Sequence, residues 1–459
     1  MPEPEVSPEQ VDATIKSRAF VVLLVVAAIV GVVVSLAAWC FLELVHQIQQ
    51  GVFVHLPSDL GYHNGAPLWW PLPVLAIAGV VVAFAIARLP GNGGHVPAHG
   101  LVTGGGPTLP IELPGITLAA IAAIGLGVVL GPEAPLIALG AGLAVLTIGL
   151  ARRDVPPQVL TVVAAAGSFA AVSFLFESPL IAAVIMIEAT GLGGPKLRLV
   201  LIPGLLAAGI GTLVSIGMGS FTGLSTSAYA LGSVSLPAFA RPDIADFAWT
   251  IALAIAIAVV TAVILRGGRA TERVAAPRPF LVLPVVGLII AGLAIAFQQT
   301  TDKGFAEVLF SGQEGLPGLV ANAPTWSLSA LALLIIFKGV AYSLSLGSFR
   351  GGPTFPAIFL GAAAGIMAGH LPGFSITPAV AVAMGAGTAA MLRLPLSAVV
   401  IASVLTAKAG AGAEPLVIVG VVVAYVVSIR LSSPAAPDTA SAPRAAQGPP
   451  AGATPEVAT

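Results

Sequence analysis

Fourteen apolar segments of helical length follow one another along the chain, at about 19–45, 71–89, 115–130, 134–151, 158–175, 179–191, 198–218, 247–266, 280–297, 328–346, 355–371, 378–392, 396–408 and 415–431. A helix that crosses a bilayer needs about 20 apolar residues, and several of these segments fall short of that. Glycine and proline cut them apart, clustering at 91–97, 104–110, 131–135 and 347–356. Backbone broken at membrane depth is tolerated only where protein buries it or where it lines a cavity. The fold class that satisfies this pattern is an all-α polytopic membrane protein with many short, broken and tilted helices. Charge agrees: 8% of residues are Asp, Glu, Lys or Arg, against about 25% in soluble proteins.

Nineteen basic residues against twenty acidic ones leave a net charge of −1 and no nucleic-acid footprint. The lone Cys40 provides no disulfide framework. Residues 1–17 are polar and acidic and the first apolar run is too long for a signal peptide, so 1–17 is expected to be a cytoplasmic N-terminal segment. Lys16 and Arg18 flank the first helix, and Arg266, Arg269, Arg273 and Arg278 crowd a central loop; the positive-inside rule places both in the cytoplasm. The loop 51–68 has His55, Asp59 and His63 but neither Lys nor Arg, which suits the outside. The expected membrane transport domain is 18–431. Residues 432–459, rich in Ala, Pro, Ser and Thr, are expected to form a disordered tail.

The domain repeats internally. GPEAPLIALGA (131–141) and GPTFPAIFLGA (352–362) share seven of eleven positions, and FESPLIAAVI (176–185) and LRLPLSAVVI (392–401) share five of ten. Order and spacing hold, so the chain divides into halves at about 18–218 and 247–431. Repeated halves with helices broken in matching places point to a transporter-like fold with its site at the repeat interface. These matches alone leave open whether the halves are inverted or parallel.

G-P-x-x-P reads as a helix start, with Pro132 and Pro353 at the first helical position and glycine allowing a sharp entry. The amides of Glu133 and Ala134, and of Thr354 and Phe355, then point along the axis without intrahelical partners. Each helix start carries roughly +0.5 charge. Two of them facing one gap make an anion site without a full cation, which suits conduction because a permeant ion must also leave. Glu133, at the mouth of one such start, can occupy the anion's place and then swing away or take a proton. The plainer reading is an acid that complements a helix dipole; within a membrane, an ionisable residue is functional by default.

These residues resemble the CLC family of chloride channels and chloride/proton antiporters, over about 20–430. GPEAP (131–135) is similar to the family's G-[KR]-E-G-P, and GGPTFP (351–356) to G-G-x-F-x-P with Thr354 in place of phenylalanine. GNGGHVP (91–97) stands where the family has G-S-G-I-P, and FESPL (176–180) where it has F-N-A-P-L. The stretch FKGVAYSLSLGSFRGGPTFP (337–356) is the most specific match. The resemblance implies an inverted repeat of two halves, a homodimer with one anion pathway per subunit, cytoplasmic termini, and Glu133 as the gate.

Departures carry equal weight. Gly94 replaces the serine whose hydroxyl can coordinate chloride, and His95 beside it is either a replacement donor or a loop-capping histidine. Pro132 removes the basic residue of the gate motif, and Pro353 has no N–H, leaving Thr354 and Phe355 as donors. The family's antiporters carry an inner glutamate that passes protons; here MIEAT (186–190) puts Ala189 in its place and Glu188 one position away, rotated by roughly 100°. Glu188 then reads as an interfacial acid at a helix end, with a proton role as the alternative. The family's inner tyrosine has no counterpart, since Tyr425 lies inside the preceding apolar run. Lys338 and Lys408 are read as snorkelling near segment ends, Glu112, Glu177, Asp302 and Glu307 as solvated, and Arg393 as structural.

The expected site therefore comprises Glu133 as gate, Gly94, His95, Ala134, Thr354 and Phe355 as anion-binding positions, and Glu133 with Glu188 as a proton pathway. No metal or cofactor is expected. The expected partners are chloride or a similar small anion, protons, the lipid bilayer and a second copy of the chain, in the cell membrane. The expected function is uncoupled or weakly proton-coupled anion transport. Strict chloride/proton antiport and a broken-helix transporter for another solute are the alternatives. A membrane-embedded enzyme is disfavoured, because no H-E-x-x-H, paired intramembrane aspartates or Ser/His pair at plausible spacing is present.

Overall fold

A computed structural model describes residues 7–101, 106–152, 154–191, 193–224 and 233–432. The first half holds α1 (Pro8–Ile15), α2 (Arg18–Gln50), α3 (Leu56–Asp59), α4 (Pro71–Arg88), α5 (Leu113–Gly125), α6 (Glu133–Ala151), α7 (Pro157–Phe176), α8 (Pro179–Thr190) and α9 (Lys196–Thr222). The second holds α10 (Ile244–Ala275), α11 (Pro279–Thr300), α12 (Gly315–Ala321), α13 (Leu328–Ser348), α14 (Thr354–Ala368), α15 (Ile376–Leu392), α16 (Pro395–Leu405) and α17 (Glu414–Leu431). Among the described residues, nine helical stretches are long and apolar enough to cross a membrane. Helices α8, α14, α15 and α16 are apolar but shorter, as their Gly- and Pro-bounded segments predict.

Local chemistry sets the ends. Ser17 accepts from the amide of Phe20 at the start of α2, Asp243 from Asp246 at the start of α10, and Ser327 from Ala330 at the start of α13. Each satisfies one of the four amides a helix start leaves open. One apolar segment is split: the run at 115–130 is helical only to Gly125. Gly127 then takes φ 95°, and its carbonyl accepts from the amide of Phe310 at 3.0 Å.

The repeat is written in the packing as clearly as in the sequence. In the first half α6 packs on α7, α7 on α8 and α9, α2 on α7 and α9, and α4 on α5. In the second half α14 packs on α15, α15 on α16 and α17, α10 on α15 and α17, and α11 on α13. The halves meet through repeat mates: α4 packs on α11, and α8 on α16. Elements that contact their own repeat mates lie about a local two-fold axis. The core is formed by α7 and α15, both buried over most of their surface. Close helix crossing explains the small residues there: a Cβ on Gly140 would meet the Gly167 carbonyl, and one on Gly361 the Ala383 carbonyl.

Candidate functional site

The two G-P-x-x-P breaks meet on the local axis. Gly131 and Gly352 form an isolated antiparallel bridge, each amide donating to the other's carbonyl. From this crossing α6 and α14 begin. Both prolines sit one position earlier than the sequence reading placed them: Pro132 and Pro353 are the N-caps, at φ −85° and −88°, and the helices start at Glu133 and Thr354. A proline at the cap still removes an N–H that has no intrahelical use.

Glu133 is 1% exposed. Its side chain crosses between halves, and Oε1 accepts from the backbone N–H of Thr354. The amides of Glu133 itself and of Phe355 also bear on the carboxylate. By hydrogen-bond geometry Oε2 has no partner among the described residues, and neither has the buried Thr354 hydroxyl, although that hydroxyl also bears on the carboxylate. Burying a carboxylate costs several kcal/mol unless donors replace its water, and here backbone amides at the starts of α6 and α14 take that role. The seat has no spare room. A Cβ on Gly352 or Gly131 would fall on the Glu133 carboxyl group, so glycine at both positions leaves the space that the carboxylate occupies.

Helix α13 braces the second helix start. The Tyr342 hydroxyl donates to the carbonyl of Pro353. One turn earlier, Lys338 lies in mid-helix, fully buried, and not at a segment end: the snorkelling reading fails. Its Nζ donates to the carbonyls of Glu307 (2.9 Å), Val308 (3.3 Å), Leu309 (2.8 Å) and Phe310 (3.2 Å), and lies 4.6 Å from the Phe359 ring centroid. Four carbonyls supply what water would have supplied to the ammonium group. The loop so held lines a cavity of about 560 Å³, together with His46, Gln49, Phe53, Gln298 and Glu314. Pro132, the residue before Glu133 in the chain, lines the same cavity. Glu307 also lines it, and burial pushes its carboxyl above the ordinary range, opposed by Lys338 and Lys303. The reading of Glu307 as solvated is corrected accordingly.

The third break, at 91–97, is a tight turn in which Gly91, Asn92, Gly93 and Gly94 all have positive φ. Gly94 packs toward Ile116, and His95 Nε2 pairs with the Gly100 carbonyl at 2.8 Å. Burial pushes the His95 imidazole below its ordinary value, opposed by that carbonyl. No described hydrogen bond joins Gly94 or His95 to Glu133. The link between the turn and the site is Arg350, whose Nε donates to the Asn92 carbonyl at 3.3 Å from a position two residues before Gly352. Ala134 is the second residue of α6 and is buried, as are Thr354 and Phe355. The Phe355 ring stacks on Phe176 at 5.4 Å.

Glu188 lies elsewhere. Near the end of α8, its carboxylate accepts from the amides of Leu396 (2.9 Å) and Ser397 (2.7 Å) and from the Ser397 hydroxyl (2.6 Å). It caps α16 of the other half. No described bond joins it to Glu133. Among the described residues no cluster of three or more His, Cys, Asp or Glu could hold a metal ion. Lys338, read from the sequence as snorkelling, and Tyr342 and Arg350, left unassigned there, are the organising residues here. All three lie in the stretch 337–356; for Lys338 and Tyr342 a polar side chain inside an apolar helix was the available signal, whereas Arg350 lies two residues past the end of α13.

Comparison with known proteins places this geometry in context. Residues 101–429 match the family described as "Voltage gated chloride channel". Proteins named "Putative ion-transport protein YfeO", from Escherichia coli O139:H28 and Shigella boydii serotype 4, are 30% identical over 349 residues, covering 75% of this chain and 78% of theirs. Among solved structures, a slow cyanobacterial Cl⁻/H⁺ antiporter superposes with a TM-score of 0.72 at 20% identity, covering 89% of this chain and 94% of that one. A CLC-type fluoride/proton antiporter superposes with a TM-score of 0.67 at 17% identity, covering 93% and 98%.

Proposed function

The chain belongs to the voltage-gated chloride channel family, and from that premise we propose that it carries chloride or a similar small anion across the cell membrane, with Glu133 as the gate. One observation carries the reading: the Glu133 carboxylate is seated on the start of α14, where an anion would sit, at the crossing of the two halves. The cavity that Pro132 lines is the approach. By the charge distribution it opens outward, because Lys16 and Arg18 mark the opposite end of α2.

The seat binds an anion through backbone amides and two helix starts, each carrying roughly +0.5 charge. Ala134, Thr354 and Phe355 supply that environment; Gly94 and His95 shape the turn that Arg350 ties to it. While the carboxylate holds the seat, the anion is excluded. When Glu133 takes a proton, Oε2 is the oxygen that receives it, since Oε1 is engaged by Thr354. The neutral carboxyl then competes weakly, and the seat passes to the anion.

Coupling to protons is weak or absent in this reading. Both Glu188 oxygens are engaged by the start of α16, and Ala189 beside it cannot carry a proton. Antiport is the second reading, favoured by the two structural neighbours, one a Cl⁻/H⁺ and the other a fluoride/proton antiporter. The subunits pair as homodimers, each with its own pathway. The deciding experiment follows chloride efflux and proton movement together in chloride-loaded liposomes, with and without valinomycin. Chloride release without uphill proton pumping is the expected result. Pumping would establish antiport and a proton route that bypasses Ala189, and absence of anion flux would overturn the reading.

A further inference from the structure

Helices α7 and α15 are repeat mates, and each ends on a charged residue in the left-handed region, Glu177 at φ 48° and Arg393 at φ 58°. Each reaches a serine on another pair of repeat mates. Ser215 of α9 donates to Glu177 at 3.3 Å, and Arg393 donates at 2.5 Å to Ser432, directly after α17. One device is thus built twice with opposite charge. Glycine fits this backbone conformation better than any side chain, so the Arg393 guanidinium is presented from a position where a side chain carries a backbone cost.

Two more arginines surround it. Arg266 and Arg269 of α10 line a cavity of about 30 Å³ with Arg393, Ser428, Leu431 and Ser432. Arg266 donates to the Leu431 carbonyl at 2.6 Å, and the charge of Arg269 bears on Arg393. The ion pairs among the described residues, His46–Glu314, His99–Glu272, Arg198–Asp12 and Lys303–Asp302, include none of the three. Depth is fixed by the helices. Arg266 lies about 33 Å along α10 from Ile244 at 1.5 Å per residue, close to the hydrocarbon thickness of a bilayer, and the apolar span of α17 ends at Leu431. Val263 and Ile429, beside the cluster on these two helices, are exposed at 60% and 46%.

We propose that Arg266, Arg269 and Arg393 form a binding site for the phosphate of an anionic phospholipid headgroup. Guanidinium forks match phosphate oxygens in pairs. The cavity is small, so it admits only part of a phosphate group and leaves the rest of the ligand outside, as a lipid arriving from the bilayer would be. The exposed apolar residues give its acyl chains a surface. At the repeat-related position Glu177 repels the same ligand, so the first half does not repeat the site there.

The test uses the purified full chain in neutral detergent. Native mass spectrometry counts retained phosphatidylglycerol against phosphatidylcholine of the same acyl chains, and melting is followed with each lipid and with inorganic phosphate. Wild-type protein is expected to prefer phosphatidylglycerol. Arg269→Gln and Arg393→Gln are each expected to lower that preference about fivefold, the contribution of one basic residue at an anionic surface. Arg393→Gly separates binding from folding: glycine suits the backbone there, so melting without lipid is preserved while the preference falls. Equal retention of the two lipids, or a preference unchanged in these variants, overturns the proposal. So does inorganic phosphate matching phosphatidylglycerol in its effect on melting, which would assign the site to a free anion.

Discussion

Glu133 and Glu188 leave the first half of the chain in the same way. Each reaches into the second half and accepts hydrogen bonds from the backbone at the start of a helix, α14 for one and α16 for the other. Their surroundings differ. Glu188 is half-buried and has three donors shared over both oxygens. Glu133 is wholly buried, and one oxygen has no partner among the described residues. The first arrangement is complete and holds two halves together. The second is incomplete, which is what the proposed gate requires: a carboxylate with every lone pair satisfied is held more firmly than one with an oxygen left without a hydrogen bond.

The comparison breaks most directly at Glu133. Glu133→Gln and Glu133→Ala are expected to give anion flux that is open and insensitive to external pH. A charged hydrogen bond is worth about 1.5–3 kcal/mol, so removing the competitor raises anion occupancy of the seat by about ten- to a hundredfold. Flux in liposomes across a series of external pH values checks this, and a wild-type pH response in both variants would end the gate assignment. Gly352→Ala attacks the same seat without removing the acid. Its Cβ falls on the carboxyl group, and overpacking of this kind costs about 1–3 kcal/mol. Flux is expected to fall by about tenfold or more while external pH ceases to control it.

Glu188→Ala should do the reverse. Uncapping α16 is expected to lower stability by about 1–3 kcal/mol, read as a drop in melting temperature, with the pH profile of flux unchanged. A changed profile would show that the two carboxylates are coupled. The smallest effect is expected from Tyr342→Phe, which removes only the bond to the Pro353 carbonyl. A neutral hydrogen bond contributes about 1 kcal/mol, so the α14 start loosens and the midpoint of the flux–pH curve moves slightly without loss of fold.

Much of this was legible in the residues. The repeat of G-P-x-x-P located both helix starts to within one residue, and the apolar segments match the helices closely apart from the split at Gly125. The pairing of the two motifs was legible only as repetition; that their glycines hydrogen-bond to each other is a fact of tertiary placement. Glu188 was read as an acid at a helix end, but its partner lies about 208 residues away, beyond any local pattern. Lys338 shows the limit most plainly. A lysine in an apolar run reads as snorkelling unless something inside the protein replaces water, and the four carbonyls that do so belong to a loop brought to α13 by folding. Arg350 and Tyr342 were hidden for the same reason.

The bridge between Gly131 and Gly352 has a consequence for how such a site can come into being. An assembly of two identical half-chains must put the same residue on both sides of its axis. Two glutamates would then face each other across the bridge and repel, since like charges this close cannot both ionise; two threonines would leave the crossing with no acid at all. A single polypeptide, in which duplicated segments are free to diverge, can set a carboxylate on one side and a bare amide donor on the other. Joining the halves covalently is what permits a lock to face its own keyhole.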